Sequence, residues 1–278
     1  MNPLKLWGSL SSVFITLVIG LLIGFVAIHA LEGFSLTLIF GNTPPWDALK
    51  GSEVWDGLWT PLKGTLKLLA LSGCFAVPMG FASGIYITEY MVPLRAGRIV
   101  ILLEALAGLP SIIVGLFGFV LILFLRRFFF PASTGLLLSA FCLSVLVLPL
   151  LALNTVSALK GLPDSLRVTA ASLGLTKEVM ILVLLIPAAA EGLISGLMAA
   201  AGRCAEDTAV ILLTGAVAVG RGGGLTDKFE ALPFFIYYMS ANYQDGAQLA
   251  QVFAACLMLL FLTFILLIIS RLLKRRSL

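Results

Sequence analysis

The sequence predicts an all-α integral membrane protein of six transmembrane helices, and three observations lead to this fold class. Of its 278 residues, 60% are hydrophobic and only 12% are charged, whereas a soluble domain has about 45–50% apolar and about 25% charged residues. A helix that crosses a bilayer needs about 20 mostly apolar residues, because its backbone polar groups must be paired within the segment. Six stretches meet this requirement: about 10–31, 64–88, 99–125, 134–158, 188–219 and 248–270.

The first of these stretches raises the alternative of a cleaved secretory signal. Its apolar run is too long for the hydrophobic region of a signal, and no clean A-x-A cleavage site follows Ala30. We therefore expect the first helix to be retained, and we treat residues 1–278 as a single transmembrane domain.

Cysteine spacing gives no sign of a metal or disulfide framework. The four cysteines lie singly within predicted helices, at Cys74, Cys142, Cys204 and Cys256. Because neither paired spacing nor a CxxC motif is present, we expect these side chains to pack as small apolar groups and predict no cofactor or metal.

The charge distribution predicts the orientation in the membrane. Much of the net charge of +4 comes from the C-terminal end, at Arg271, Lys274, Arg275 and Arg276, which is typical of a cytoplasmic flank rather than a nucleic-acid surface. Segment 32–63 is mainly acidic and segment 89–98 mainly basic, so the positive-inside rule places both termini in the cytoplasm. Arg126 and Arg127 disagree, since they begin a connection that this topology places outside.

Three connections are longer than a turn: segments 32–63, 159–187 and 220–247. The first is rich in Trp, Gly and Pro, which favours a helix at the membrane interface. The last begins with the glycine-rich run 220–224, which lacks the GK[ST] ending of a phosphate-binding P-loop. We interpret this run as a flexible outer loop.

The middle connection carries a short amphipathic pattern. Asp164 is suited to cap a helix, while Leu166, Ala170 and Leu173 share one face at helical spacing. Gly174 is suited to a left-handed helix end. The segment therefore predicts a surface helix at about residues 163–175.

This segment resembles the cytoplasmic EAA loop of permeases from binding-protein-dependent ABC importers. That pattern is E-A-A, three residues, a Gly, and an apolar helix with a Pro about a dozen residues on; Ala170, Gly174 and Pro187 match it. Two departures stand at Val168 and Thr169, which occupy the positions of the family's Glu and first Ala.

Further motifs narrow the resemblance to the PstA-type permeases of phosphate importers, over about residues 64–270. They are Gly84-Ile85-Tyr86-Ile87-Thr88-Glu89-Tyr90, Leu109-Pro110-Ser111-Ile112-Ile113-Val114-Gly115-Leu116-Phe117, and Arg203 with Asp207-Thr208 before Leu212-Leu213-Thr214. The family's usual Gly-Glu-Thr of the fifth helix stands here as Glu206-Asp207-Thr208.

The resemblance implies a type I ABC importer permease that imports phosphate through the bacterial inner membrane. Its implied partners are a second, PstC-type permease, two copies of an ATP-binding subunit, an extracytoplasmic phosphate-binding protein and membrane lipid, with no nucleic acid. The coupling helix would contact the ATPase through Leu166, Arg167, Ala170, Leu173 and Gly174. Because the chain has no GxxxxGK[ST] motif, we expect no ATPase activity of its own.

Ionisable residues within a membrane span cost roughly 2.5–3.5 kcal/mol each and are functional candidates. The sequence has six: Lys67, Glu104, Glu191, Arg203, Glu206 and Asp207. Lys67 and Glu191 lie near helix ends, where we expect them to extend to the interface.

Arg203 is predicted to lie in the middle of its helix, with Asp207 at the i,i+4 spacing of an ion pair and Glu206 at i+3. One interpretation is a neutralised structural cluster. The other is a phosphate path lined by Arg203, Glu206, Asp207 and Thr208, in which the guanidinium attracts phosphate and the carboxylates weaken its binding.

Three alternatives remain at this point. A membrane hydrolase could use Ser195, but the single histidine, His29, lies in the first helix. A secondary carrier would need ion-coupling carboxylates in broken helices, for which Glu104 near Pro110 is a candidate. A permease of the same class could also carry another oxyanion, such as phosphonate.

Overall fold

A computed structural model describes residues 3–32, 36–41, 43–50, 57–128, 133–218 and 224–275 of the chain. The glycine-rich run except Gly224, the stretch 51–56 and the terminal Arg276 lie outside the described residues. The helices are α1 (Pro3–Glu32), α2 (Leu36–Phe40), α3 (Pro45–Lys50), α4 (Trp59–Glu89), α5 (Pro93–Ala107), α6 (Ser111–Phe128), α7 (Leu136–Lys160), α8 (Asp164–Ser172), α9 (Lys177–Val179), a π-helical segment (Met180–Leu185), α10 (Ile186–Glu206), α11 (Ala209–Thr214), α12 (Leu232–Asn242) and α13 (Gly246–Arg275).

Within the described residues, six helical segments are long and apolar enough to cross a membrane. They are Lys5–Leu31, Trp59–Glu89, Ser111–Phe128, Leu136–Lys160, Lys177–Glu206 and Gly246–Leu272. The predicted number of spans is therefore confirmed. The predicted interfacial segment begins with the short helices α2 and α3, and Trp46 of α3 is exposed.

Two predicted spans have the wrong boundaries. The third is interrupted between Ala107 and Ser111, because Pro110 lacks a backbone N–H and disfavours the helical conformation of the residue before it. The fifth begins at Lys177 rather than near residue 188 and ends at Glu206. The π-helical segment precedes Pro187 and widens the turn that the proline ring would otherwise obstruct.

The helix α7 forms the centre of the bundle and packs most extensively on α4. Glycines make this approach possible: a Cβ added to Gly84 would lie 2.4 Å from the Cβ of Thr155, and one added to Gly80 would lie 2.6 Å from that of Leu151. On the α10 side, Gly192 and Gly196 lie equally close to Ala158 and Asn154. The small-residue spacing in α4 and α10 thus marks close helix contacts within the chain.

The N-terminal end of α7 is closed by the segment that follows α11. The N–H groups of Gly135, Leu136 and Leu137 donate to the carbonyls of Thr214, Asp227 and Leu225, at 2.9, 3.0 and 2.7 Å. Backbone carbonyls thereby satisfy donors that a helix start leaves unpaired. These hydrogen bonds attach the start of α7 to the segment around residues 214–227 at the end opposite to α8.

Candidate transport path and coupling helix

The predicted surface helix is present as α8, Asp164–Ser172. Gly174 has a φ of +70°, the left-handed conformation expected at a helix end. The predicted cap is wrong in detail, because Pro163 holds the N-cap position without a side-chain hydrogen bond and Asp164 is the first helical residue.

The structure does not place the predicted ATPase-contact residues on one exposed face. Ala170 is 1% exposed, and Leu166 packs against the apolar cluster that contains Leu159 and Leu185. Leu173, by contrast, is 72% exposed, because the helix ends before it and the apolar stripe is not continued. Ala170 and Leu166 therefore attach α8 to the chain's own transmembrane body.

Arg167 holds α8 to the ends of two other helices. Its Nη2 donates to Oε1 of Glu89 at 2.8 Å and to the carbonyl of Leu159 at 3.0 Å, and its Nε donates to Oε2 of Glu89 at 3.4 Å. Nη1 also donates to exposed Asp164 at 3.3 Å. The Glu89 hydrogen bond is the main cause of a raised Arg167 pKa, so the guanidinium remains charged.

Sequence reasoning did not identify Glu89 as a partner of this residue. It lies 78 positions before Arg167, and its side chain is 5% exposed. The only sequence signal was its place at the end of the motif that begins at Gly84. That position, a charged residue at the end of a long apolar run, could have marked Glu89 as a candidate.

Several apolar side chains are exposed on α8 and in the segment that follows it. Val168 is 65% exposed, and Leu175 and Val179 are also exposed beside Leu173. Such a patch next to a short helix is typical of an interaction surface. In the described structure the predicted coupling residues thus divide, with Leu173 exposed and Ala170 buried.

The second predicted site lies where α10 ends. Asp207 has an extended backbone (φ −76°, ψ 117°) and is 8% exposed. Its Oδ1 accepts the N–H of Val210 at 2.9 Å and thereby caps α11. Within the described residues no ion pair joins Arg203 to Asp207, so that prediction is wrong, because the Asp207 carboxylate is buried and bonded to the start of α11 while Arg203 is exposed.

Arg203 and Glu206 share the exposed side of α10, whereas Cys204 and Ala205 between them are buried. Thr208 is half-buried at the start of α11. The structure therefore keeps the four predicted path residues in one short segment. It separates them into an exposed pair, Arg203 and Glu206, and the capping residue Asp207.

The helix register gives the depth of this segment. Gly192 faces Ala158 and Gly196 faces Asn154, an antiparallel register. Continued along both helices, it places Arg203 level with Val147, next to the midpoint of α7. The exposed guanidinium therefore lies near the middle of the bundle.

The break between α5 and α6 lies at a similar depth. Gly118 packs against Cys142 of α7 and Thr214 of α11, and Gly115 packs against Val210. The start of α6 at Ser111 is about two turns from Gly118, which brings it level with the middle of α7. Two interrupted helices and Arg203 thus occur at one level.

In the part of the chain that the structure describes, the other ionisable side chains do not gather into a catalytic site. Lys67, Glu104 and Glu191 are exposed on three different helices. His29 Nδ1 lies 2.9 Å from the carbonyl oxygen of Phe25, and Ser195 Oγ donates to that of Glu191. Since each bonds within its own helix, Ser195 and His29 do not form a nucleophile–base pair.

Comparison with known folds agrees with this architecture. The chain matches a chain of a bacterial alginate ABC transporter crystallised with an alginate-bound periplasmic protein, with a TM-score of 0.66, 17% identity, and 96% and 94% of the two chains covered. It also matches a chain of the inward-facing MetNI methionine ABC transporter, with a TM-score of 0.60, 19% identity, and 80% and 97% covered. The fold is that of type I ABC importer permeases.

Sequence relatives define the family. Residues 76–278 match the model described as "Binding-protein-dependent transport system inner membrane component". The phosphate transport system permease protein PstA of Mycobacterium leprae is 31% identical over 76% of this chain and 68% of its own length. The PstA protein of Yersinia pestis is 29% identical over 74% and 67%. The chain therefore belongs to the inner membrane components of binding-protein-dependent transport systems and, within them, to the PstA permeases.

Proposed function

We propose that this chain is a permease subunit of an ATP-driven phosphate importer. It forms the path together with a second permease, and it works with a separate ATP-binding subunit and an extracytoplasmic phosphate-binding protein. The similarity to PstA proteins of two bacteria supports the substrate class. The basic C-terminal end and the six-span arrangement favour both termini in the cytoplasm, with α8 on the same side.

The observation that carries the proposal is the exposed guanidinium of Arg203 near the middle of a membrane bundle. A charge at that depth that faced lipid would cost roughly 2.5–3.5 kcal/mol. A polar passage shared with a second permease removes this cost. Arg203 is suited to line it, because its planar fork stays charged and matches the oxygens of phosphate.

Two neighbours adjust this site. Glu206 lies on the same exposed side one turn from Arg203, so it lowers the local positive potential and prevents phosphate from being held too tightly. The N-terminal end of α6, the positive end of its helix dipole, lies at the same depth, a polarity that favours anions. Thr208 and Asp207 shape the break, Asp207 as the cap of α11.

The experiment is phosphate uptake by the assembled importer in proteoliposomes that contain ATP. We expect Arg203→Gln to assemble normally and to lose uptake, Arg203→Lys to keep part of it, and Glu206→Gln to bind phosphate more tightly and release it more slowly. Asp207→Asn is the control, because an amide oxygen can still accept the Val210 N–H. Normal uptake by Arg203→Gln would contradict the path role.

Substrate and energy source are tested with the unaltered complex. We expect phosphate to compete with labelled phosphate and phosphonate to compete much less. Uptake should require ATP and the ATP-binding subunit. Uptake driven by an ion gradient without ATP would instead support a secondary carrier.

A further inference from the structure

The inner ends of α4 and α7 and the start of α8 meet at one side chain. Arg167 uses both edges of its guanidinium: the fork of Nε and Nη2 binds the Glu89 carboxylate, and Nη2 also binds the last buried carbonyl of α7, that of Leu159. The Glu89 side chain is 5% exposed and that of Arg167 is 23% exposed. A two-point bond of this kind fixes direction as well as distance.

A second contact ties the same corner together. Lys177, which follows α8, places its Nζ 4.7 Å from the ring centroid of Tyr90, the residue after Glu89. Tyr90 in turn stacks on Tyr86 of α4, with ring centroids 5.9 Å apart. Both α8, through Arg167, and the segment after it, through Lys177, are thus attached to the inner end of α4.

We propose that Arg167 is a positioning residue that joins α8 rigidly to α4 and α7, so that a displacement of α8 moves both helices together. This inference rests on the proposed function, since it concerns how an ATP-driven movement reaches the path. It assigns Arg167 to the chain's own body rather than to the ATPase contact, and it gives Glu89 a role as its partner.

The close packing of α4 and α7 explains why this junction matters. The two helices touch at Gly80 and Gly84 with no space for an added Cβ, so they are suited to move as one unit. The other side of α7 packs on α10, which carries Arg203. A movement that enters at Arg167 therefore has a packed route to the depth of Arg203.

Breaking this junction requires care, because either single change leaves a partner charge unpaired. Removing one member of a buried ion pair is strongly destabilising, whereas replacing both by apolar residues of similar volume is often tolerated. The decisive variant is therefore the double change Arg167→Met with Glu89→Met. Arg167→Lys serves as the conservative variant, since an ammonium cannot reproduce the two-point bond.

The complete importer is purified with each variant and placed in proteoliposomes. Phosphate imported per ATP hydrolysed is measured together with hydrogen exchange of the α8 amides. We expect the double variant to assemble like the unaltered complex, to import about tenfold less phosphate per ATP, as for other changes along a coupling route, and to exchange faster in α8. Arg167→Lys should give phosphate import per ATP and α8 exchange rates between those of the unaltered complex and the double variant. Glu178→Met, the same carboxylate-to-Met change at an exposed position on this side of the bundle, should leave both readouts unchanged.

The outcomes separate the inference from the proposed function. Unchanged coupling and unchanged α8 exchange in the double variant would overturn the positioning role, and so would an equal loss in Glu178→Met. A merely structural ion pair predicts recovery of both readouts once both charges are removed. If the unaltered complex imports no phosphate, the proposed function fails, while the α8 exchange rates still decide whether Arg167 fixes the helix.

Discussion

The contact between α4 and α7 gives a prediction whose size follows from the structure. Gly84→Ala adds a Cβ that would lie 2.4 Å from the Cβ of Thr155 and 2.8 Å from the carbonyl oxygen of Ala152, whereas ordinary contact begins at 3.4 Å. The helices must therefore separate by up to about 1 Å, and overpacking of this kind costs about 1–3 kcal/mol. Since Ala152 contributes backbone, a change of rotamer cannot relieve the whole overlap.

The assay is the thermal midpoint of the purified importer complex. Each kcal/mol lowers a midpoint by about 2–4 °C in soluble proteins of 150–250 residues, so Gly84→Ala should lower it by several degrees. Gly73→Ala is the matched control, because it makes the same change in α4 where no atom lies within 4 Å of the added Cβ. Equal midpoints for the two variants would refute the argument that Gly84 sets the distance between the helices.

Two further predictions concern α8 and the contact between the end of α11 and the start of α7. Ala170→Asp places a carboxylate at a position that is 1% exposed, so α8 should detach and both copurification of the ATP-binding subunit and phosphate uptake should fall. Leu173→Asp, at a 72% exposed position, should leave the bundle's thermal midpoint intact and weaken only copurification. If Ala170→Asp instead left the midpoint intact and Leu173→Asp lowered it, Ala170 would be shown to face the ATPase. Thr214→Val removes the 2.8 Å hydrogen bond to buried Ser139 and should cost about 1–3 kcal/mol, and adding Ser139→Ala should recover most of the lost thermal stability. A double variant as unstable as Thr214→Val would show that the unpaired Ser139 hydroxyl is not the cause of the lost stability.

Local patterns in the sequence carried the prediction of fold and family. Hydropathy identified six spans because a bilayer imposes a minimum length on each apolar helix. The short helix α8 was recognised because a helical stripe and a glycine stop are encoded within about a dozen residues.

The role of the candidate path residues stays a prediction. Arg203 was identified because a charge in an apolar span is conspicuous. Its supposed bond to Asp207 was wrong, since spacing does not report that the Asp207 carboxylate is buried and caps α11 after the helix breaks. Helix breaks of this kind depend on packing against α6 and α7, which local spacing does not report.

The sequence by itself determined the membrane class, the number of spans and the PstA relationship, because these depend on composition, period and motif within single segments. The tertiary structure alone decided that Ala170 faces inward, that two breaks lie level with the middle of α7, and that Arg167 binds Glu89. These features join residues far apart in the chain, 78 positions in the case of Arg167 and Glu89. Their energies arise from desolvation and close contact, which exist only once the helices have packed.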